Sequence, residues 1–189
     1  QERQLEEQDL GAVWALECAV LPALVRMQRR GVAVDEDRLE RLERWTIEQE
    51  AAALAIVYSH TGVRIAVNDV WRAAVLAPAL EAIGVALPRT PKTNQPSIDK
   101  ELLKSLAATH PAAEALLQAR KVNKLRTTFA ASVRRHLTNG RVHCTYNQIA
   151  LEKEEGGGVA GVRYGRLSCD HPNLQQQPSR DEFAPMWRD

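Results

Sequence analysis

Three long stretches with helical periodicity limit what this 189-residue chain can fold into. In residues 9–30, apolar side chains recur every third or fourth position, as in an amphipathic helix, and Pro22 among them predicts a kink. Residues 36–58 are rich in Glu, Arg and Ala, and residues 112–137 carry an apolar stripe at the same helical spacing. The chain is therefore predicted to be mainly helical.

Turn and capping residues separate these helices. Gly31 ends the first helix, and Asp35 is placed to cap the second after a short extended piece. Asn68 is expected to cap a helix over 69–83, and Ser97 the short helix that follows it. The tryptophans in these segments are expected in packing positions rather than as stacking ligands; they are Trp14, Trp45 and Trp71.

Residues 140–148 alternate as a β-strand does. One face carries Val142, Cys144 and Tyr146, and the other carries His143, Thr145 and Asn147. His143 has no partner residues at a spacing that would hold a metal ion. The pattern predicts a small β element, and a plain edge strand with surface amides remains the alternative to a binding role.

The distribution of charge is more informative than its total. The formal net charge is only +1, which by itself predicts no partner. Residues 115–151, however, contain seven basic residues and no Asp or Glu: Arg120, Lys121, Lys124, Arg126, Arg134, Arg135 and Arg141. Such a window is typical of a phosphate-facing surface, with an ordinary solvated helix face as the alternative.

Cysteine usage and hydropathy bear on where the protein acts. The cysteines, Cys18, Cys144 and Cys169, are widely spaced and form no CxxC pair, which favours a reducing compartment over a disulfide framework or a zinc site. The sequence contains no apolar run of membrane-spanning length and no signal-peptide pattern. We therefore expect a soluble, cytoplasmic protein without a membrane partner. Because Gln1 is not Met, we also expect the gene product to begin upstream.

A polar segment near the C-terminus carries the most specific signal. Residues 164–178 read YGRLSCDHPNLQQQP, an ordered run of turn residues, hydroxyls and amides that no globular core requires. The segment resembles T-G-R-L-S-S-x-x-P-N-L-Q-N-I-P of family A DNA polymerases, the bacterial DNA polymerase I family and its phage relatives. The resemblance implies that the segment opens the palm and lies along the primer–template minor groove. Its glutamine-rich form looks more phage-like than bacterial.

Other segments resemble the same family in chain order. Residues 27–35 are similar to the family's Arg-x-Gly-Val-x-hydrophobic-Asp lead into the thumb, and residues 121–129 to L-x-K-L-x-S-T-Y. Residues 140–148 are similar to G-R-[LV]-H-[TS]-x-[FY]-[NH]-Q, and residues 92–97 more loosely to the thumb-tip loop. The implied fold class is mainly α with a small β element: two long antiparallel thumb helices, at about 36–58 and 112–137, lead into the first part of a palm.

The resemblance also implies domains and site residues. It divides the chain into a helical lead-in segment (1–35), a thumb-like helical subdomain (36–138) and an incomplete palm (139–189). The residues expected at the primer terminus and minor groove are Arg166, Asn173, Gln175 and Gln148. Those expected on the DNA backbone are Lys121, Lys124, Arg126, Thr127, Thr128, Asn94, Ser97, Asn147 and Ser168.

Two departures from the family stand out. Seventeen residues separate Gln148 from Arg166, where the family has a much shorter connection, and they predict a flexible acidic insertion at about 151–162. The Asp residues that hold the family's catalytic metals follow the matched segment, so the resemblance places them, and the fingers, beyond Asp189. No catalytic or metal-binding residue is therefore expected in this chain. Mg²⁺ and deoxynucleotides are expected for the complete enzyme.

Three functional hypotheses remain open at this point. The first is the primer–template DNA-binding part of a DNA-directed DNA polymerase, either within a larger enzyme or as one subunit of a split polymerase completed by a chain with the rest of the palm and fingers. The second is a stand-alone, non-catalytic DNA-binding module. The third is a helical interaction protein with no nucleic-acid role, which the segment 164–178 disfavours.

Overall fold

Helices dominate the fold, as predicted. The computed structural model describes residues 9–148 and 166–178, together with Pro185 and Trp187. The helices are α1 (Gly11–Arg30), α2 (Glu36–Thr61), α3 (Ala73–Ala82), α4 (Lys100–Ala107), α5 (Pro111–Lys124) and α6 (Ala131–Arg135). A π-helical turn, Leu125–Ala130, joins α5 to α6, and a 3₁₀-helix spans Leu174–Gln176. The strands are β1 (Val32–Ala33), β2 (Leu137–Thr138), β3 (Arg141–Val142), β4 (Thr145–Asn147) and β5 (Ser168–Asp170).

The chain divides into two compact units. Among the described residues, one comprises residues 37–131, and the other comprises residues 9–36, 132–148 and 166–178 with Pro185 and Trp187. We call them the helical unit and the mixed unit. None of the helices in the described part of the chain combines the length and the apolar character that crossing a membrane requires.

The helical unit is built around one apolar core, in which α4 packs closely on α5. Its fully buried side chains come from four helices and include Val57, Leu76, Leu80, Leu103 and Leu116. Pro111 opens α5 at a first-turn position, where its missing N–H costs no helical hydrogen bond.

Two capping predictions were wrong. Asp99, not Ser97, caps α4, because its Oδ1 accepts a 2.7 Å bond from the Leu102 N–H. Asn68 caps no helix, since α3 begins only at Ala73. Its backbone is instead in the left-handed region, at φ 76°.

The mixed unit contains two small antiparallel sheets. The first has the order β1-β3-β2, with Val32 opposite Val142, and the second pairs β4 with β5, with Tyr146 opposite Cys169. The strand predicted from the alternation of 140–148 is thus two short strands in different sheets. The predicted facing is confirmed for Val142 and Cys144, which are both buried.

Gly31 makes the turn between α1 and β1 possible. Its φ is +63°, and its N–H donates to the Met27 carbonyl to end the helix. A Cβ at this position would lie 2.8 Å from both the Val142 carbonyl oxygen and the His143 ring. Only glycine fits here, which explains why an Arg-Gly-Val sequence joins these elements.

Two of the three tryptophans expected in core or packing positions lie outside the core. Trp14 and Trp71 are 52% and 53% exposed, whereas Trp45 is half-buried.

A buried carboxylate ties three parts of the helical unit together. Glu50 on α2 is 0% exposed. Its Oε1 accepts bonds from the Asn68 N–H (2.8 Å) and from Asn123 Nδ2 (3.0 Å), and its Oε2 accepts a 2.6 Å bond from Arg126 Nη2. Asn68 Oδ1 accepts from the same Arg126 nitrogen at 2.7 Å. We call these four residues the Glu50 cluster. They join α2, the loop before α3 and the α5–π-turn segment.

Arg126→Ala is expected to lower the free energy of unfolding by about 3–5 kcal/mol, because it leaves the Glu50 carboxylate buried without its cation. Arg44→Ala is the matched control. Arg44 is 65% exposed and lies 4.0 Å from Glu40, so its loss should cost less than about 1 kcal/mol. Chemical denaturation followed by circular dichroism measures both, and equal losses for the two variants would contradict the role given to Glu50.

Candidate nucleic-acid interface

The basic residues of segment 115–151 form two groups. Arg120, Arg126 and Arg141 turn inward and bond to groups of their own unit. Arg120 is buried, and its guanidinium donates to the carbonyls of Val70 (2.8 Å) and Ile98 (3.0 Å). Burial lowers the pKa of Arg120, an effect that nearby Asp99 partly offsets. Three of the seven cations in the window predicted to face phosphate are therefore bonded within the protein.

The outward-facing group follows α5 and the turns after it. Lys121, Lys124, Arg134 and Arg135 are exposed. Thr127 and Thr128 on the π-helical turn are exposed as well, and the Thr127 hydroxyl donates a 2.9 Å bond to the Asn123 carbonyl. The Lys124 ammonium lies 6.0 Å from the centroid of the Phe129 ring. Arg134 and Arg135 belong to the mixed unit. Within the helical unit, the strip formed by Lys121, Lys124, Thr127 and Thr128 is the part best suited to phosphate oxygens.

Arg126 does not belong to that strip. Its side chain is only 16% exposed, and its charge is matched by the carboxylate of Glu50. An arginine whose charge is already neutralised in the interior has little left to offer a phosphate. The structure thus shows a structural role for Arg126, and its expected contact with the DNA backbone stays a prediction.

Hydrogen bonds within the loop stabilise residues 89–97, which include the loop expected at the thumb tip. Arg89 and Pro96 form an isolated β-bridge, and Arg89 Nη1 donates to the Asn94 carbonyl at 3.0 Å. Asn94 lies exposed at φ 50°. Ser97 is half-buried, and its N–H donates to the Pro88 carbonyl at 2.8 Å.

Two amides of the β4 region have partners within the mixed unit. Gln148 Nε2 donates to Glu17 of α1, at 2.7 Å to the carboxylate and 3.0 Å to the backbone carbonyl. Asn147 Nδ2 donates to Asp170 at 3.3 Å, across the β4–β5 pair. Both side chains are half-buried.

The amides after β5 fix the shape of their own segment. Asn173 Oδ1 accepts from the N–H groups of Gln175 (3.0 Å) and Gln176 (3.2 Å), which caps the 3₁₀-helix. The Gln175 side chain accepts from the Cys169 N–H and donates to the Leu167 carbonyl. These hydrogen bonds therefore stabilise the local shape of the segment, in which Gln175 stays exposed.

Arg166 and Ser168 differ from these amides. Arg166 is exposed, whereas Ser168 is half-buried and its Oγ has no hydrogen-bond partner among the described residues. The insertion expected at 151–162 and Tyr164 of the family motif lie outside the described residues.

A small thiol–phenol cluster lies at the β4–β5 pair. Burial raises the pKa of the Cys144 thiol. The hydrogen bond with Cys144, together with burial, raises the pKa of Tyr146 to about 12. Both groups are therefore protonated at neutral pH, and the cluster serves as packing.

Metal ligands were also sought in the structure. In residues 9–148 and 166–178, no group of three or more His, Cys, Asp or Glu side chains could hold a metal ion. The described residues thus offer no fit for a divalent cation.

Sequence reasoning missed three features of the helical unit. Glu50 gave no signal, because one glutamate in a helix rich in Glu and Ala looks solvent-exposed. The exposure of Trp71 runs against the usual behaviour of tryptophan. The cations of α4, Lys100 and Lys104, stood outside the basic window.

The family model and two similar relatives all point to DNA polymerases. The family model "DNA polymerase family A" matches residues 36–189. The chain is 59% identical to a DNA-directed DNA polymerase of Pseudomonas phage M6, over 100% of this chain and 28% of that protein. It is 35% identical to DNA polymerase DpoZ of Acinetobacter phage SH-Ab 15497, over 96% of this chain and 30% of that protein.

A solved structure shares the fold. The POL domain of Pol1 from M. smegmatis, in complex with DNA primer-template and dNTP, superposes with a TM-score of 0.73 at 29% identity. The match covers 100% of this chain and 31% of that one. The chain thus spans less than a third of the length of these phage and mycobacterial proteins.

Proposed function

Because this chain belongs to DNA polymerase family A, we propose that it is the part of a DNA-directed DNA polymerase that binds primer–template DNA. The observation that carries the proposal is the match of the family model over residues 36–189. In this assignment residues 36–138 are the thumb, residues 1–35 lead into it, and residues 139–189 begin the palm. The enzyme acts in a bacterial cytoplasm, since the relatives come from phages and bacteria.

The thumb holds the DNA backbone without reading sequence. Lys121 and Lys124 supply positive charge, and Thr127 and Thr128 supply hydroxyls for phosphate oxygens. The exposure of all four side chains supports this role. Asn94 and Ser97 add contacts from the loop, with Asn94 the more accessible of the two.

Arg166 reads the minor groove at the primer terminus. Purine N3 and pyrimidine O2 acceptors are present there in every base pair, so a guanidinium can test pairing geometry without selecting a sequence. Gln148, Asn173 and Gln175 act mainly by shaping the surface around Arg166, because their amides are engaged within the mixed unit. Asn147 and Ser168 have the same supporting role.

We assign catalysis to other parts of the complete enzyme. The complete enzyme would use Mg²⁺ to stabilise the attacking and leaving oxygens of nucleotidyl transfer. Because the family resemblance places the metal-binding Asp residues after the segment 164–178, we assign the metals and the deoxynucleotide to the rest of the palm and the fingers. Those parts belong either to the same polypeptide or to a complementary chain.

The 189-residue chain is expected to bind duplex DNA with a steep salt dependence. If about four to six phosphates are neutralised, log K should fall with log salt at a slope of about −4 to −5. Lys124→Ala should reduce that slope by about 1, whereas Arg126→Lys should leave it unchanged, because the cation there is committed to Glu50. Fluorescence anisotropy with a labelled hairpin at several salt concentrations measures the slopes, and a wild-type slope near zero would remove the thumb assignment.

A chimaera separates binding from chemistry. When this chain replaces the matching segment of the phage M6 polymerase, primer extension should be retained, whereas the chain alone should show none. In the chimaera, Arg166→Ala should lower kcat/KM for nucleotide incorporation by about 10- to 100-fold, because it removes a hydrogen bond from a charged donor, and should change DNA affinity little. Lys124→Ala should do the reverse.

Arg44→Ala is the control for both variants in the chimaera, since Arg44 is an exposed arginine to which no DNA contact is assigned. Extension by the pure 189-residue chain would refute the assignment of catalysis to other residues. An Arg166→Ala chimaera with wild-type incorporation would remove Arg166 from the primer terminus.

A further inference from the structure

The helical unit contains a cleft whose lining residues, apart from Lys121 and Lys124, have no role in the proposed duplex contacts. Its volume is about 950 Å³. Its apolar walls come from α2, α4 and α5 and include Ala53, Ile56 and Leu117. Trp71 also lines the cleft.

Trp71 is exposed but held in one orientation. Its Nε1–H donates a 2.7 Å bond to Asn123 Oδ1, and the Arg120 guanidinium carbon lies 5.1 Å from the ring centroid. Arg120 in turn bonds the carbonyl of Val70, the residue before the tryptophan. With 53% of its surface exposed, Trp71 is a rigid aromatic platform whose ring is covered by Arg120 on one side.

The charge around this cleft favours an anionic ligand. Five cationic residues line it, Lys100, Lys104, Arg120, Lys121 and Lys124, against two acidic ones, Asp99 and Glu114. Asp99 is already committed to capping α4. Lys100 and Lys104 lie one helical turn apart on α4, so they present two exposed ammonium groups in a row.

We propose that this cleft binds single-stranded DNA, with one base stacked on Trp71 and neighbouring phosphates on Lys100 and Lys104. A positive groove with an aromatic platform holds single strands without sequence preference, because every base has a π-face. Lysine suits this task because its flexible ammonium adapts to phosphates that have no fixed geometry. This site goes beyond the proposed duplex binding. Its strand contacts are assigned to Trp71, Lys100 and Lys104, none of which is a proposed duplex contact, although Lys121 and Lys124 line the same cleft.

Binding of a labelled oligo(dT) strand and of a blunt hairpin duplex to the 189-residue chain tests the proposal. Trp71→Ala should weaken oligo(dT) binding at least about fivefold. Trp14→Ala, which removes an equally exposed tryptophan of the mixed unit, should not. The double variant Lys100→Ala/Lys104→Ala should reduce the slope of log K against log salt for oligo(dT) by about 1.4, because each lost phosphate contact on a single strand contributes about 0.7. The matched double variant Arg41→Ala/Arg44→Ala, on exposed cations of α2 outside the cleft, should leave that slope unchanged.

Three results would overturn the site. One is oligo(dT) affinity that survives both cleft variants. Another is duplex affinity that falls as far as oligo(dT) affinity in those variants, since the cleft would then be part of the duplex surface. The third is tighter binding of an acidic amphipathic peptide that competes with oligo(dT), which would assign the cleft to a protein partner. Because the duplex is measured separately, loss of duplex binding in the wild-type chain would refute the proposed function and leave this test intact.

Quenching of tryptophan fluorescence provides a second test that does not depend on the folding of Trp71→Ala. Oligo(dT) should quench the wild-type chain, and Trp71→Phe should abolish most of the quenching while its circular dichroism stays that of the wild type. Undiminished quenching in Trp71→Phe would place the strand elsewhere.

Discussion

The buried carboxylate of Glu50 is the constraint on which the helical unit depends. A charge removed from water needs an opposite charge and a full set of hydrogen bonds, or it destabilises the fold by several kcal/mol. Glu50 receives both from Asn68, Asn123 and Arg126, which lie 18, 73 and 76 positions further along the chain. Satisfying one carboxylate therefore fixes the loop before α3 and the junction of α5 with the π-helical turn at the same time.

The Glu50 cluster also fixes the positions of residues on the outer surface of the helical unit. Asn123 bonds Glu50 through its amide nitrogen and Trp71 through its amide oxygen, so the interior network holds an exposed aromatic ring. Thr127, one residue beyond Arg126, is anchored to the Asn123 carbonyl. π-Helical turns often accompany functional sites, and here such a turn carries the hydroxyls proposed to meet phosphate.

In this part of the helical unit, arginines form internal hydrogen bonds and lysines are exposed to solvent. Arg120 and Arg126 use planar forks to bond carbonyl and carboxylate oxygens inside it, whereas Lys121 and Lys124, on the same stretch of chain, are exposed. A guanidinium is weakly hydrated and matches fixed acceptors, but an ammonium is strongly hydrated and adapts to mobile ones. Sequence counting cannot make this distinction, so the basic window counts Arg120 and Arg126 together with the exposed lysines.

A feature could be predicted from the sequence when it depends on residues that are close together along the chain. Helical periodicity and the turn at Gly31 are local, and they predicted α1, α2 and the α5–α6 region closely. The family motifs are ordered over many positions, and they identified the family correctly. The role of Arg126, the exposure of Trp71 and the choice of Asp99 as a cap depend on partners or competitors that only the folded chain brings together. The sequence likewise does not reveal that the amides of Asn173 and Gln175 bond to the backbone of their own segment, whereas their DNA contacts stay predictions.

A crystal structure of the chain bound to a primer–template hairpin is the most direct test of the division between interior arginines and outward lysines. The account predicts phosphate oxygens within hydrogen-bonding distance of Lys124 and Thr128, Arg166 in a minor groove, and Arg126 still bonded to Glu50. Phosphates bonded to Arg126, with the Glu50 pair broken, would contradict it.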